Sequence, residues 1–181
     1  MNITRWKLIS SVPVFISKWM TIQKRSYRLP SGEIREDYYH LNRPDYVLVF
    51  AEDDRERILL ERQYRRGVND FVYELPAGWI NDGEKPIDAA KRELQEETGS
   101  LGDGDTSFEI YPQPGFSSMK AYVAVLKVHS QGMHSHDVAD EYITSEWVEK
   151  SRLREMIKIG KIKDMGLLSA LSVHQTFYSQ I

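Results

Sequence analysis

The sequence predicts a mixed α/β sandwich, and three observations lead to this prediction. Short strand-like segments precede one strongly helical stretch at residues 86–98, further strand-like segments follow it, and the C-terminal part carries apolar residues at helical spacing. Strands and helices therefore do not alternate as they do in a doubly wound parallel sheet. Residues 1–42 are predicted to form an N-terminal β domain, and residues 43–181 the main domain.

The N-terminal residues predict an antiparallel meander. Extended segments run from Ile9 to Tyr39 and are interrupted by a turn at "PSG", Pro30 to Gly32. Farther along, the apolar runs "YVLVF" and "RILLERQY" flank the charged segment "AEDDRER", which predicts a hairpin. The segment "DFVYELPAGWI" predicts one more strand before the helical stretch, and this strand stops near Pro76 and Gly78.

The helical stretch has clear signals at both ends. Pro86 suits a first turn, where its missing N–H is not needed, and Gly99 suits the left-handed residue just past the last turn. Beyond it, "AYVAVLKV" at 121–128 is the clearest buried strand, and "EYITSEWV" at 141–148 predicts another. The rest of the chain predicts two helices.

The composition excludes several classes of function. The 181 residues have a formal net charge of -3 with both signs interspersed, so the chain lacks the basic surface of a nucleic-acid-binding protein. Cysteine is absent, which excludes disulfides and thiolate sites and fits a reducing compartment. No segment approaches the roughly 20 apolar residues of a membrane span, and the N-terminus lacks the apolar core of a signal peptide. We expect a soluble, cytoplasmic protein.

The segment "RELQEETG" places three glutamates on one side of the predicted helix. At about 100° per residue, Glu93, Glu96 and Glu97 share an arc beside the packing face. Like charges at this spacing repel by roughly 0.2–0.5 kcal/mol per pair. Mg²⁺ binds carboxylate oxygens and completes its coordination with waters and substrate phosphates. The segment is therefore either half of a metal site or a solvated acidic helix surface.

The wider sequence around this helix resembles the signature of the Nudix hydrolases. The segment "GWINDGEKPIDAAKRELQEETGS" contains each polar and glycine position of that signature, namely Gly78, Glu84, Arg92, Glu93, Glu96, Glu97 and Gly99. Its last position departs, because Ser100 stands where an aliphatic residue is usual, and this change affects no metal ligand. The resemblance implies a Nudix-type α/β/α sandwich with a mixed sheet.

The resemblance also implies roles for the polar residues of the signature. Glu93 and Glu97, with help from Glu96, would hold Mg²⁺ or Mn²⁺ on a diphosphate, and Arg92 would orient the glutamates. In such enzymes a water activated by the metal attacks phosphorus while the ions neutralise charge on the phosphates. Glu84 would support the site rather than take part in the reaction.

One flanking segment resembles the ADP-ribose and nucleotide-sugar pyrophosphatase branch of this family. In "RQYRRGVNDFVYELPAG" the resemblance implies that Arg65 contacts a phosphate and that the carbonyl of Ala77 binds metal. A solvated strand end remains an open alternative for Arg62, Arg65 and Arg66.

Two further segments resemble the same branch. The loop "PQPGFSS" implies substrate contacts for Gly115 and Phe116, although Pro114 and Gly115 also suit a simple turn. The N-terminal meander resembles a small β domain that is exchanged between the subunits of a homodimer. Within it, Trp19 stands roughly where the branch has an aromatic that stacks on the base, with a core position as the alternative.

The general base is expected in the loop "HSQGMHSHDVADEY" rather than on the helix. The resemblance favours Glu141 as the base, and Asp140 is the neighbouring alternative. A loop that brings a carboxylate onto the attacking water after substrate binds is a common arrangement. His129, His134 and His136 match no usual zinc spacing and are predicted to be exposed loop residues.

Together these expectations describe a Mg²⁺-dependent pyrophosphatase. It would convert ADP-ribose or another nucleoside diphosphate sugar to a nucleoside monophosphate and a sugar phosphate, without a nucleic-acid or membrane partner. Two alternatives remain open. One is a Nudix hydrolase of nucleoside triphosphates or dinucleoside polyphosphates, and the other is a non-catalytic module that binds a nucleotide.

Overall fold

A computed structural model of the protein describes residues 4–132, 137–138 and 141–178. The chain divides into two compact units. The first contains the residues up to Pro44 together with Tyr111–Lys120, and the second contains Asp45–Ile110 and the residues from Ala121 onward. The sequence analysis assigned Tyr111–Lys120 to the larger domain, whereas this segment groups with the N-terminal strands.

The first unit is a three-stranded antiparallel sheet, as the N-terminal pattern predicted. Its strands are β1 (Lys7–Ile16), β2 (Thr21–Arg28) and β3 (Ile34–Asn42), in the order β1-β2-β3. The segment Tyr111–Lys120 is attached to β3, because the N–H of Leu41 donates a hydrogen bond to the carbonyl oxygen of Phe116 over 2.8 Å.

In the second unit, the described residues form a nine-stranded mixed sheet and three helices. Its elements in chain order are β4 (Tyr46–Glu52), β5 (Ile58–Arg65), β6 (Asp70–Glu74), β7 (Ala77–Trp79), α1 (Pro86–Thr98), β8 (Leu101–Asp103), β9 (Ser107–Ile110), β10 (Ala121–Ser130), β11 (Asp137–Val138), β12 (Glu141–Val148), α2 (Lys150–Lys158) and α3 (Met165–Phe177). The main path of the sheet is β11-β12-β5-β4-β10-β8. Among these described strands, β4 and β10 pair in parallel and the other ladders are antiparallel.

Two apolar clusters lie on opposite faces of this sheet. Successive side chains of a strand point to opposite faces, so β4 contributes Val47 and Val49 to the cluster under α1 and Leu48 and Phe50 to the cluster under α2 and α3. Helices therefore cover both faces, which confirms the predicted α/β/α sandwich. No helix among the described residues is long and apolar enough to cross a lipid bilayer.

Helix α1 begins and ends where the sequence predicted. Pro86 stands in its first turn, and Gly99 adopts φ +67° and donates its N–H to the carbonyl oxygen of Gln95 over 2.9 Å. The strand predicted to stop near Pro76 and Gly78 ends at Glu74, and the chain forms a second strand, β7, that the sequence did not predict. The two strands are separated around Pro76, which has no N–H for a ladder, and β6 pairs with β5 while β7 pairs with β4.

Candidate active site

The three glutamates of α1 have different environments. Glu93 is buried, with 9% of its surface exposed, and Glu97 is half-buried. The side chain of Glu96 is 60% exposed. A solvated acidic helix surface would leave all three in water, so burial distinguishes Glu93 and Glu97 from ordinary surface residues.

Arg92 connects the acidic side of α1 to the loop that precedes the helix. Its guanidinium binds both carboxylate oxygens of Glu84 over 2.9 Å and also donates to the carbonyl oxygen of Trp79 over 2.9 Å. It lies 2.6 Å from Glu93 and 3.1 Å from Glu96. The hydrogen bonds from Arg92 lower the pKa of Glu84 to about 2. Arg92 therefore restrains two of the three glutamates from one position.

Glu97 is attached to the sheet through the backbone of Ala77. The N–H of Ala77, the first residue of β7, donates a hydrogen bond to Oε2 of Glu97 over 3.1 Å. Burial raises the pKa of Glu97, and the nearby carboxylates of Glu61 and Glu93 raise it further. The Glu97 carboxylate therefore lies in a region of concentrated negative charge, beside other acidic side chains.

Gly78 allows Glu93 to lie directly against β7. A Cβ atom added at Gly78 would stand 1.9 Å from the Cδ atom of Glu93, far inside van der Waals contact. Only a residue without a side chain lets the glutamate occupy this position. This close approach explains why the signature has glycine at position 78.

Glu61 on β5 belongs to the same group of carboxylates, and the sequence analysis missed it. Only 4% of its surface is exposed, and burial raises its pKa. The hydroxyl of Ser145 donates to Oε1 of Glu61 over 3.5 Å. The sequence did contain a signal for Glu61. It follows the apolar residues of "RILLERQY", and the alternation of side chains along a strand places it on the same face as buried Leu59.

These carboxylates form a donor set suited to a hard divalent cation. The described residues hold no preformed cluster of three or more acidic or histidine side chains with metal-site spacing. They do bring the carboxylates of Glu61, Glu93 and Glu97 together, and burial raises the pKa of each, with Arg92 opposing the effect at Glu93. A bound cation would offset this concentrated negative charge, and carboxylate oxygens are what Mg²⁺ and Mn²⁺ prefer.

Arg65 lies at the end of β5 and is engaged in an ion pair. Its guanidinium donates from Nε to Glu74 over 2.7 Å, and the closest nitrogen lies 2.6 Å from the same carboxylate. Arg62 instead lies over the ring of Phe71, with 4.5 Å between its Cζ atom and the ring centroid. The contact with phosphate remains a prediction for Arg65.

The other predicted substrate residues belong to the first unit. Trp19 lies in the turn between β1 and β2 and is 61% exposed, which excludes the core position considered for it. Lys18 places its Nζ atom 4.4 Å from the centroid of the Trp19 ring. The carbonyl oxygen of Gly115 accepts a hydrogen bond from the hydroxyl of Tyr38, and Phe116 is exposed.

The predicted general base lies at the start of β12. Glu141 is the first residue of that strand, whereas Asp140, His134 and His136 lie outside the described residues. The choice between the two carboxylates remains a prediction. His129 belongs to β10 rather than to a loop, and its Nε2 atom lies 3.3 Å from the exposed carboxylate of Asp103.

Comparison with known proteins gives a consistent result. The NUDIX domain family matches residues 42–164. The mouse ADP-sugar pyrophosphatase is 33% identical over 173 residues, which cover 90% of this chain and 79% of the relative. The ADP-ribose pyrophosphatase of Bacillus subtilis strain 168 is 32% identical over 120 residues, which cover 65% of this chain and 63% of that protein.

A solved structure has the same fold. The crystal structure of an ADP compounds hydrolase matches with a TM-score of 0.83 at 19% sequence identity. The match covers 98% of this chain and 96% of that chain. At this identity the likeness establishes the fold.

Proposed function

The chain belongs to the Nudix hydrolase family, and on that premise we propose that it hydrolyses the diphosphate of ADP-ribose or of other nucleoside diphosphate sugars. The products are a nucleoside monophosphate and a sugar phosphate. The observation that carries the proposal is the set of buried carboxylates that α1 presents beside β7. The choice of substrate is supported by the identity to the mouse enzyme, which extends over 90% of this chain and thus beyond residues 42–164.

Nudix hydrolases need divalent metal ions, and we assign Mg²⁺ to this chain, with Mn²⁺ as a substitute. Glu93, Glu96, Glu97 and the carbonyl of Ala77 would hold the metal. When bound, the metal lowers the pKa of the attacking water and neutralises charge on the phosphates. The role of Arg92 is to keep Glu93 and Glu96 oriented, since its guanidinium contacts both.

Arg65 is proposed to bind the diphosphate. Its guanidinium carries five N–H donors, so it can bind phosphate oxygens while it keeps part of its contact with Glu74. Trp19 is proposed to stack on the base, and its 61% exposure leaves most of its surface available for that contact. Gly115 and Phe116 are proposed to contact the substrate as well.

Glu141 is proposed as the general base, with Asp140 as the alternative. A carboxylate at this position would take a proton from the attacking water as the bond to phosphorus forms. The placement of Glu141 at the start of β12, a neighbour of β5 in the sheet, supports the proposal.

We also propose that the protein is a cytoplasmic homodimer that associates through the N-terminal sheet. Strand β1 is exposed along its whole length, although it is largely apolar. Its exposed apolar residues are Leu8, Ile9, Val12, Val14, Phe15 and Ile16. An apolar strand of this kind is typical of an interaction surface rather than of a solvated edge.

The test is a substrate panel with the full chain and MgCl₂. The panel contains ADP-ribose, ADP-glucose, GDP-mannose, UDP-sugars, nucleoside triphosphates and diadenosine polyphosphates, and the products are identified by chromatography. The proposal predicts turnover of nucleoside diphosphate sugars with a nucleoside monophosphate as product. Turnover confined to triphosphates or dinucleoside polyphosphates would overturn the substrate assignment, and no turnover would favour a nucleotide-binding module.

A further inference from the structure

We propose that Glu61 of β5 is an additional ligand of the divalent metal, so that the sheet contributes one carboxylate to a site otherwise built on α1 and β7. This inference rests on the proposed function, because it concerns the same metal site. It adds a residue that lies 17 positions before the first residue of the Nudix signature, Gly78.

The register of β5 directs Glu61 toward α1. Leu59 belongs to the apolar cluster under α1, and Leu60 belongs to the cluster under the other helices. Because side chains alternate along a strand, Glu61 lies on the α1 face with Leu59. Glu61 is therefore a buried polar residue on the face of the sheet that α1 covers, which is the face of the proposed metal site.

Among the described residues, no cationic side chain is in ion-pair contact with Glu61. Within the part of the chain that the structure describes, its side chain accepts one hydrogen bond, from the Ser145 hydroxyl, and at 3.5 Å this contact is at the outer limit of such bonds. No nitrogen of a described lysine, arginine or histidine forms an ion pair with it. A buried carboxylate without a cationic partner is costly to the fold, so its presence calls for a compensating charge.

The neighbours of Glu61 indicate what that charge is. Glu97, Glu74 and Glu93 interact with it repulsively, and Glu97 and Glu93 are carboxylates of the proposed metal site. Arg65 is the basic residue that acts on it favourably, yet the guanidinium of Arg65 is in direct contact with Glu74. A divalent cation between α1 and β5 would convert the repulsion among these carboxylates into attraction.

A ligand from the sheet would strengthen metal binding before any nucleotide arrives. The affinity of carboxylate sites for divalent cations depends on the number of charged ligands. The α1 glutamates alone depend on substrate phosphates to complete the coordination of the metal. With Glu61 added, the chain by itself offers more negative charge to the ion.

The test measures Mn²⁺ binding by the full chain without nucleotide, from the electron paramagnetic resonance signal of free Mn²⁺. We expect Glu61→Gln to raise the Kd for Mn²⁺ by about 10-fold or more, as loss of a group that supports a metal typically does. The control is Glu146→Gln, which makes the same chemical change on the neighbouring strand β12. Glu146 pairs in register with Leu60, so it lies on the opposite face of the sheet and should leave the Kd unchanged.

Thermal unfolding gives a second readout that a structural role would not produce. In EDTA we expect Glu61→Gln to melt at the wild-type temperature or above it, because the substitution removes buried negative charge. The rise in melting temperature that Mn²⁺ causes should be smaller in the variant than in the wild type. A lower melting temperature in EDTA together with an unchanged Kd for Mn²⁺ would overturn the proposal.

A second variant keeps the test decisive if the amide disturbs folding. Glu61→Leu introduces the residue type that β5 already carries at positions 59 and 60, so the strand should accept it. If this variant folds and its affinity for Mn²⁺ is unchanged, the proposal is overturned. Absence of Mn²⁺ binding by the wild type would overturn it as well. Glu61-dependent Mn²⁺ binding in a protein that hydrolyses nothing in the substrate panel would support this inference while the proposed function fails.

Discussion

The backbone N–H of Ala77 donates a hydrogen bond to Oε2 of Glu97 over 3.1 Å. This contact joins residues 20 positions apart in sequence and ties the start of β7 to the acidic side of α1. It positions the Glu97 carboxylate through the main chain, so the position of the proposed metal ligand depends on the strand as well as on the helix.

Replacing Glu97 by glutamine should separate activity from stability. We expect Glu97→Gln to lower kcat for ADP-ribose by about 100-fold or more, since a metal ion contributes several kcal/mol to such reactions. The amide oxygen still accepts from Ala77, so the melting temperature in EDTA should not fall. Product formation by chromatography and a thermal melt give the two values. Asp88→Asn, the same change at an exposed site of α1, is the control, and equal rates for both variants would contradict the prediction.

Adding a methyl group at Gly78 should displace Glu93. The new Cβ atom of Gly78→Ala would stand 1.9 Å from the Glu93 carboxylate, so the side chain must move. A displacement of about 1 Å at a catalytic group can cost about 100-fold in rate, and we expect a loss of that order in kcat/KM. Gly67→Ala is the matched control, because nothing lies within 4 Å of the added atom there. Equal activity of both alanine variants would show that the activity does not depend on the position of the Glu93 carboxylate.

Replacing Arg92 by lysine should weaken metal binding. One ammonium group cannot reproduce the fork that contacts Glu84, Glu93 and Glu96 together. We expect Arg92→Lys to raise the Mg²⁺ concentration that gives half-maximal activity by about 10–100-fold, measured from rates at varied MgCl₂. Arg154→Lys, at an exposed position of α2, should leave that concentration unchanged. An unaltered Mg²⁺ dependence in Arg92→Lys would contradict the proposal that Arg92 orients the glutamates.

A second buried carboxylate, Glu52, should control acid stability. It is 2% exposed, and its oxygens lie 2.6 Å from Lys127, 2.6 Å from Lys150 and 3.4 Å from His174. Burial acts to raise the pKa of Glu52, but hydrogen bonds from His174, Lys127 and Lys150 outweigh it and hold that pKa well below its usual range. Its contribution to the free energy of unfolding is therefore complete above the unfolded pKa and is lost as the pH falls below it.

The corresponding variant is Glu52→Gln. At pH 7 we expect it to lose roughly 1.5–3 kcal/mol, the usual value for hydrogen bonds to a charged group. Urea unfolding curves give the free energy of unfolding of the variant and of the wild type at each pH. The difference between the two values should shrink progressively as the pH falls below about 4.3, the ordinary pKa of glutamate. Glu56→Gln, an exposed neighbour of Lys150, should change stability little at either pH. A difference in the free energy of unfolding that stays constant from pH 7 to pH 3 would contradict the stabilising role of the ionised Glu52 carboxylate.

A single charge on β1 should prevent the proposed association. Val12 is exposed and pairs in register with Lys24, so Val12→Glu adds a cross-strand charge pair that preserves the sheet. We expect the mass from light scattering to fall to that of one 21.1 kDa chain in the variant. Gln175→Glu adds the same charge to an exposed site of α3 and should remain dimeric. A monomeric wild type, or a dimeric Val12→Glu, would contradict the proposed interface.

Elements specified by nearby residues were predicted well. The limits of α1 are confirmed because Pro86 and Gly99 act within one turn of the helix. The strands at 121–128 and 141–148 are confirmed because their apolar runs need no partner to be recognised. The strand predicted to stop near Pro76 is present as β6, but β7 was not predicted, because its pairing depends on β4, a strand elsewhere in the chain.

The sequence by itself determined the family, since Arg92, Glu93, Glu96 and Glu97 of the signature lie within one helix whose geometry is local. Tertiary structure alone decided which carboxylates are buried and which charges remain unpaired. The charges of Glu61 and Glu97 interact only because the Glu61 side chain and α1 lie on the same face of the sheet, and Arg65 meets Glu74 only through the hairpin of β5 and β6. Burial and long-range contact depend on the packing of distant segments, and no pattern of neighbouring residues encodes them.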